Sequence, residues 1–432
     1  MRICVVRNGP LNYSETFIRQ HVTDLPTETL LMDDWPPWIR TGSWWERSLP
    51  GRAFYRVLRL FSPEGYERHI TSAYTTLFRQ ERIDAVLAEF GPTGVAVMDA
   101  CRQLNLPLVV HFHGYDISVR EMLERYASGY AQMFRRAAGL VAVSRAMRRK
   151  LIALGAPAER VFYNPCGVNC ELFRGASPAQ APPFILAVAR FVEVKAPQLT
   201  LAAFARVLRE YPEARLRMIG DGPLLGECQR LATSLAIDHA VTFMGRLPHQ
   251  LIAEEMRRAR LFVQHSIEAA SGAIEGTPVA ILEAGASGLP VISTRHGGIP
   301  DVVIDNETGL LVEERDVAEM ARQMLRLLRE PSLAASLGGA ARRHVETHFS
   351  AAHSIERLWT IMKACGSSDA LNACGDANLP ECRDDAPDYR DAAPDYPTDS
   401  SCADSARSDS VRSNSVRSDS DEDARTNPCS TR

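Results

Sequence analysis

Two carboxylates eight positions apart, Glu275 and Glu283, bracket the stretch of this chain best suited to chemistry on a charged ligand. It reads EGTPVAILEAGASGLPVISTRHGGIP from Glu275 to Pro300. A helix start lies between the acids. Thr277 suits the N-cap and Pro278 the first helical position, where a missing N–H breaks no hydrogen bond. The helix should run to about Ser287 and stop at Gly288, which tolerates the left-handed conformation. Leu289 to Ser293 then reads as a short buried strand. The amides of Gly276, Thr277 and Val279, with the positive end of the helix dipole, would form an anion site. Glu283 would sit about 7–9 Å further along the axis. A carboxylate there can accept hydrogen bonds from two adjacent hydroxyls, as on a ribose, and Glu275 can do the same on the other side of the anion. The ligand that fits is hydroxyls, diphosphate, hydroxyls: a nucleoside diphosphate sugar. A crossover helix carrying two solvated glutamates has the same spacing.

Three further groups could join this chemistry. Arg190 and Lys195 follow the apolar run Phe184–Ala189. A guanidinium binds a diphosphate bidentately and an ammonium adds a compact charge, although a lone basic loop has the same composition. Gly220-Asp221-Gly222-Pro223 follows Leu216–Ile219, and Gly220 would let the backbone approach a flat base; a tight turn explains it equally. His113-Gly114-Tyr115-Asp116 follows Leu106–Phe112, and His113 taken alone reads as a hydrogen-bonded turn histidine.

The elements that must position these groups alternate between strand and helix. Arg2–Val6, Ile83–Glu89, Leu106–Phe112 and Leu140–Val143 read as strands of a first unit, with Ser14 a candidate N-cap for the helix after the first. Pro, Ala and Gly crowd 173–183, which reads as a linker. Phe184–Ala189, Leu216–Ile219, Val241–Gly245 and Leu261–His265 begin a second unit. Over 197–210, Leu201, Phe204, Ala205 and Leu208 recur at helical spacing and mark a core face. Ser350 can cap a last helix with Ile355, Leu358, Trp359 and Met362 on one side. Ligands in such sheets bind beyond the carboxyl ends of the strands, which is where the loop after the first strand and the His113 element lie.

Glu275-x7-Glu283 followed by Gly288-Leu289-Pro290-Val291 resembles the signature of the GT-B glycosyltransferases of family 4, the glycosyl transferases group 1. Thr294 to Asp301, and Ser14 to Phe17, resemble the colanic acid and exopolysaccharide branch. The resemblance implies an α/β GT-B fold of two Rossmann-like, doubly wound domains facing a cleft. Its domains would be 1–172, 184–349, a helix 350–363 crossing back onto the first, and a tail 365–432. It implies retaining transfer of a sugar from a nucleotide-sugar donor to a carbohydrate or lipid-linked acceptor, with no metal and no other cofactor. Arg190 and Lys195 match the pair that holds the donor diphosphate. His113 and Asp116 match an element beside the transferred sugar, with Glu275 on the sugar and Glu283 on the ribose. Val161 to Val168 resembles an Asn-Gly-Val-Asp turn, but Cys166 and Asn169 depart from it and carry no role. An epimerase or phosphorylase on the same fold, or a non-catalytic binder of sugar nucleotides, stays open at this level.

Composition sets outer bounds. The chain has 432 residues, 45% apolar and 24% charged, ordinary for a soluble globular protein of two or three domains. Its start, Met1-Arg2-Ile3-Cys4-Val5-Val6, reads as a strand rather than a leader, so the expected location is cytoplasmic. The formal charge of −4 conceals a slightly basic body and a tail from Cys365 with about 15 acids against about 7 bases. That tail is poor in apolar residues and is expected to be disordered; its Asp421-Glu422-Asp423 reads as low complexity, not as a metal motif. The ten cysteines are scattered, and Cys166-x3-Cys170 lacks the second pair of a zinc site. Trp35, Trp38, Trp44 and Trp45 precede an Arg- and aromatic-rich run to Phe61. Such a run suits an anionic membrane or a lipid-linked acceptor, and equally a helix packed on one face. The body is not basic enough for nucleic acid.

Overall fold

Val- and Ile-rich runs of three to five residues recur between helices, and runs of this kind bury both faces in parallel sheets. The computed structural model describes residues 1–9, 15–33 and 49–366, and the runs form two six-stranded sheets. Ser14, the four tryptophans from Trp35 to Trp45, and the acidic tail beyond Gly366 lie outside the described residues.

The first sheet comprises β1 (Arg2–Val6), β2 (Glu28–Met32), β3 (Ala85–Glu89), β4 (Leu108–Phe112), β5 (Gly139–Ala142) and β6 (Val161–Tyr163), in the order β2-β1-β3-β4-β5-β6. The second comprises β7 (Phe184–Val188), β8 (Arg215–Ile219), β9 (Val241–Gly245), β10 (Leu261–Val263), β11 (Val291–Thr294) and β12 (Gly309–Val312), in the order β12-β11-β10-β7-β8-β9. Every pairing is parallel. Each sheet therefore reverses its strand order once, between β1 and β3 in the first and between β7 and β10 in the second. Loops leave such a switch point in opposite directions and open a crevice at the carboxyl ends.

Both sheets are covered on their two faces by apolar side chains. Helix Pro197–Glu210 packs Leu201, Phe204 and Val207 into the second core. The last helix, Ala351–Gly366, is capped by Ser350, whose Oγ accepts the His353 amide at 3.3 Å. Its Ile355, Leu358, Ile361 and Met362 pack with Ile3, Val5 and Val141 of the first sheet. Cys365 belongs to this helix and lies against Gly139, so it is part of the packed body rather than the start of the tail. Helix Leu49–Phe61 buries Tyr55 and exposes Val57, Leu60 and Phe61. Among the described residues no helix is long and apolar enough to cross a membrane.

The organising helix spans Val279–Ser287 and ends on Gly288 at φ +89°. Its start differs from the sequence expectation by one residue. Pro278 occupies the cap position, and Thr277 is not the cap. The Thr277 hydroxyl is engaged elsewhere: it donates to the Val143 carbonyl at 2.6 Å and accepts the Cys166 amide at 3.2 Å. Both partners follow strands of the first sheet, so Thr277 ties the two halves together. Glycine freedom likewise serves contact between loops at Gly276, where a Cβ would stand 2.6 Å from the His113 carbonyl oxygen.

Candidate functional site

At the switch point of the second sheet, the loops after β7 and β10 bring one basic and one acidic candidate together. The loop after β7 carries Arg190 and then a short turn, Glu193–Lys195. The loop after β10 carries Glu275. Lys195 Nζ lies 2.5 Å from Glu275 Oε2, and each side chain is only about a tenth exposed. Arg190 is exposed and makes no ion pair among the described residues. The first two helical amides, on Val279 and Ala280, find no acceptor among the described residues, whereas Ile281 N–H already bonds Pro278 O. The anion site foreseen at Gly276, Thr277 and Val279 is thus narrower: Gly276, Thr277 and Pro278 are buried, and Val279 and Ala280 are half-buried.

Glu275 is braced from behind. His296 Nε2 accepts the Glu275 amide at 3.1 Å, and its Nδ1 lies 2.6 Å from Glu314 Oε1. Glu283, one turn inside the helix, is 5% exposed and pairs with His249 Nδ1 at 3.2 Å. Burial pushes the Glu283 carboxyl up, against the opposing pull of His249. The hydrogen bond to Glu283 raises the His249 imidazole despite its own burial. Gly220 has φ +136°, and a Cβ there would meet the Ala189 carbonyl oxygen at 1.9 Å. Its lack of a side chain is required by packing against the loop after β7, a different reason from approach to a base.

Facing this crevice, the loop after β4 brings His113 and Gly114 against 274–276. The Asp116 carboxylate is turned to backbone amides. It is wholly buried, with Oδ1 accepting the amides of His113 and Gly114 at 3.1 and 3.0 Å and Oδ2 accepting that of Gly91 at 3.0 Å. Burial raises its carboxyl, with His113 and those amides pulling the other way. Asp116 therefore shapes the loop that presents His113.

His113 itself belongs to a cluster. Its Nε2 lies 2.7 Å from Glu89 Oε2, and His21 Nδ1 lies 2.6 Å from Glu89 Oε1. His111 Nδ1 is 3.1 Å from His113 Nε2, with the two rings stacked. Burial pushes the Glu89 carboxyl up, but His21 and His113 outweigh it and hold the group well below its usual range. Burial, and then His113, drive His111 well below the ordinary imidazole value. Ligand atoms of Glu89, His111 and His113 lie within 4.8 Å of one another. The 2.7 Å contact between His113 Nε2 and Glu89 Oε2 is at hydrogen-bond distance.

Sequence reasoning missed Glu89, His21, His111, His249, His296 and Glu314. One signal was available for Glu89: a charged residue ending an otherwise apolar strand. His249 and Glu314 carry none, because their partners are remote in sequence. Cys166, close to the crevice, is a buried thiol pushed up to about 12 by burial, which leaves it inert as a nucleophile.

Comparison with known proteins bears on this geometry. The family model described as "Glycosyl transferases group 1" matches residues 171–344, and "Glycosyl transferase 4-like domain" matches 32–167. The amylovoran biosynthesis glycosyltransferase AmsK of Erwinia amylovora is 33% identical over 286 residues, 65% of this chain and 70% of that protein. A putative colanic acid biosynthesis glycosyltransferase, WcaL of Escherichia coli K12, is 32% identical over 249 residues, 56% of this chain and 61% of its own length. Among solved structures, Anabaena Alr3699/HepE in complex with UDP superposes with a TM-score of 0.67 at 16% identity, covering 84% of this chain and 99% of that one, a likeness of fold. Two parallel sheets, each with one switch point, one acid just before the organising helix and a second within it, and a relative alike over most of its length lead to one assignment: this chain belongs to the group 1 glycosyltransferases of the GT-B fold.

Proposed function

We propose that this glycosyltransferase moves a sugar, with retention at the anomeric carbon, from a nucleoside diphosphate sugar to a carbohydrate or lipid-linked acceptor during exopolysaccharide, capsule or lipopolysaccharide assembly. One observation carries the reading: Lys195 and Glu275 touch at the switch point of the second sheet, beside two helical amides without an acceptor among the described residues. A departing diphosphate needs positive charge that is already in place, and such preorganised charge acts most strongly where water is excluded. Lys195, Arg190 and the Val279 and Ala280 amides supply it. Glu275 then orients the transferred sugar, Glu283 accepts from the ribose hydroxyls once His249 yields, and His113 borders the sugar from the opposite wall. The reaction in this form calls for no metal and no other cofactor, and a nucleotide-sugar donor implies work in the cytoplasm.

On the acceptor side, the exposed Val57, Leu60 and Phe61 at successive turns of helix Leu49–Phe61 favour peripheral contact with an anionic membrane. The test of the donor reading is a binding screen of nucleoside diphosphates followed by turnover of their sugars. Saturable binding of one diphosphate and release of it from the matching sugar are expected. Binding of none, by protein that is folded, would overturn the reading.

A further inference from the structure

Glu89 stands at the other switch point, the one between β1 and β3 of the first sheet, at the last position of β3 and in register with His111. Nothing in the proposed donor chemistry uses it. A carboxylate wholly out of water is expensive unless each oxygen is satisfied. Here the two oxygens divide between two imidazoles from different elements: Oε1 with His21 on helix Thr16–Thr23, Oε2 with His113 on the loop after β4. The residue that follows, Phe90, holds φ +73°, a conformation a bulky side chain adopts only under constraint.

The surroundings of His113 leave one atom unaccounted for. Its amide is held by Asp116 Oδ1. Phe17 stacks on its ring at 4.3 Å, and Phe90 packs at 4.7 Å. Nε2 meets Glu89. Nδ1 alone has no hydrogen-bond partner among the described residues, although the side chain is 95% buried by its 5% exposure. An unpaired polar atom in a dry pocket calls for a partner from outside the chain.

We propose that Glu89 is a positioning residue for sugar transfer: it draws the His113 proton onto Nε2, so that Nδ1 is the ring atom offered to the ligand, while His21 clamps the carboxylate from behind. This rests on the donor reading above for the identity of the ligand, a sugar hydroxyl able to donate to a nitrogen lone pair. The tautomer assignment itself does not. An isosteric amide at position 89 cannot accept from both imidazoles, because one of its two heads is a donor. One imidazole must then turn or move its proton. Glu89→Asp keeps the charge and draws it back by one methylene.

The experiment uses the full chain labelled with ¹⁵N-histidine. Two-bond nitrogen–proton correlations identify which nitrogen carries the proton, and His113→Asn assigns the His113 signals. A proton on Nε2 of His113 in the wild type is expected, and a proton on Nδ1 alone would overturn the proposal; this spectrum requires no variant to be stable at position 89. Glu89→Gln and His21→Asn follow. Expected for Glu89→Gln is a disturbed tautomer at His113 or His21 and a fall in kcat of about tenfold or more, with nucleoside diphosphate affinity and donor KM within about twofold. Partial recovery in Glu89→Asp is expected, which a packing defect alone would not give. His21→Asn should lower kcat less than Glu89→Gln. A Glu89→Gln enzyme with wild-type kcat and an unchanged histidine spectrum would remove Glu89 from the machinery. If instead the wild type bound and turned over no nucleotide sugar, the donor reading would fall while the spectrum still decided the tautomer.

Discussion

Lys195 Nζ sits 2.5 Å from Glu275 Oε2 across the switch point of the second sheet, with both side chains nearly enclosed. On the proposed donor reading, the pair holds a cation where the diphosphate would lie, on a carboxylate that the ligand would share or displace. Salt bridges of this enclosed kind are costly to break from one side, since the survivor keeps its charge without a partner.

Glu275→Gln should therefore separate binding from chemistry. Without its carboxylate partner Lys195 is free for the diphosphate. Affinity for the nucleoside diphosphate should be unchanged or a few-fold tighter, while transfer falls by about 100-fold. Calorimetry and initial rates on the same preparation check both halves. Equal turnover in mutant and wild type would take Glu275 out of the sugar site.

Arg190 is the complementary case. It is exposed and makes no ion pair among the described residues, so Arg190→Ala should leave Tm within about 1–2 °C. Nucleoside diphosphate affinity should fall by about tenfold, as loss of a charge-assisted hydrogen bond implies. Thermal melts and titration together read the contrast; unchanged affinity would exclude Arg190 from the site.

For Asp116 the expectation is structural. Its carboxylate accepts three backbone amides in a dry loop. Asp116→Ala strands those donors and should cost about 3 kcal/mol, seen as a drop in Tm of roughly 6–12 °C. A ligand-contact role would predict the opposite pattern, lost affinity with normal stability.

The Glu283–His249 pair makes a prediction in pH. Burial raises the folded-state pKa of Glu283 above its ordinary value, so its contribution is fully present below about pH 4.5 and is lost as pH rises through the raised value. The hydrogen bond to Glu283 raises His249 above its ordinary value, so that contribution is fully present below about pH 6.5 and is also lost as pH rises. Both act in one direction. Glu283→Gln should thus gain Tm relative to wild type as pH increases from 5 to about 9, while nucleotide affinity falls because a ribose acceptor is gone. A Tm difference that shrinks with rising pH would contradict the pairing.

Much of this was legible in the residues themselves. Strands such as Val241–Gly245 and helix Pro197–Glu210 follow from apolar runs and helical periodicity, both local properties. The contact between Lys195 and Glu275 was foreseeable as a shared site but not as an ion pair, since eighty residues separate them. Thr277 was misread because a Thr before Pro has the composition of a cap, while its hydroxyl is claimed by Val143 and Cys166 of the other half. The surroundings of Asp116 escape the sequence for the same reason: its partners are backbone amides, which no side-chain pattern reveals. Glu89 went unnoticed because its meaning lies in His21 and His113, brought to it by strand order rather than by spacing.

The most direct measurement is a crystal structure of the protein with the nucleoside diphosphate that the binding screen selects. The account predicts diphosphate oxygens at about 3 Å from Lys195 Nζ and from the Val279 and Ala280 amides, with the ribose toward Glu283. A nucleotide bound in the crevice of the first sheet, or a diphosphate that leaves the Lys195–Glu275 contact and those amides untouched, would contradict it.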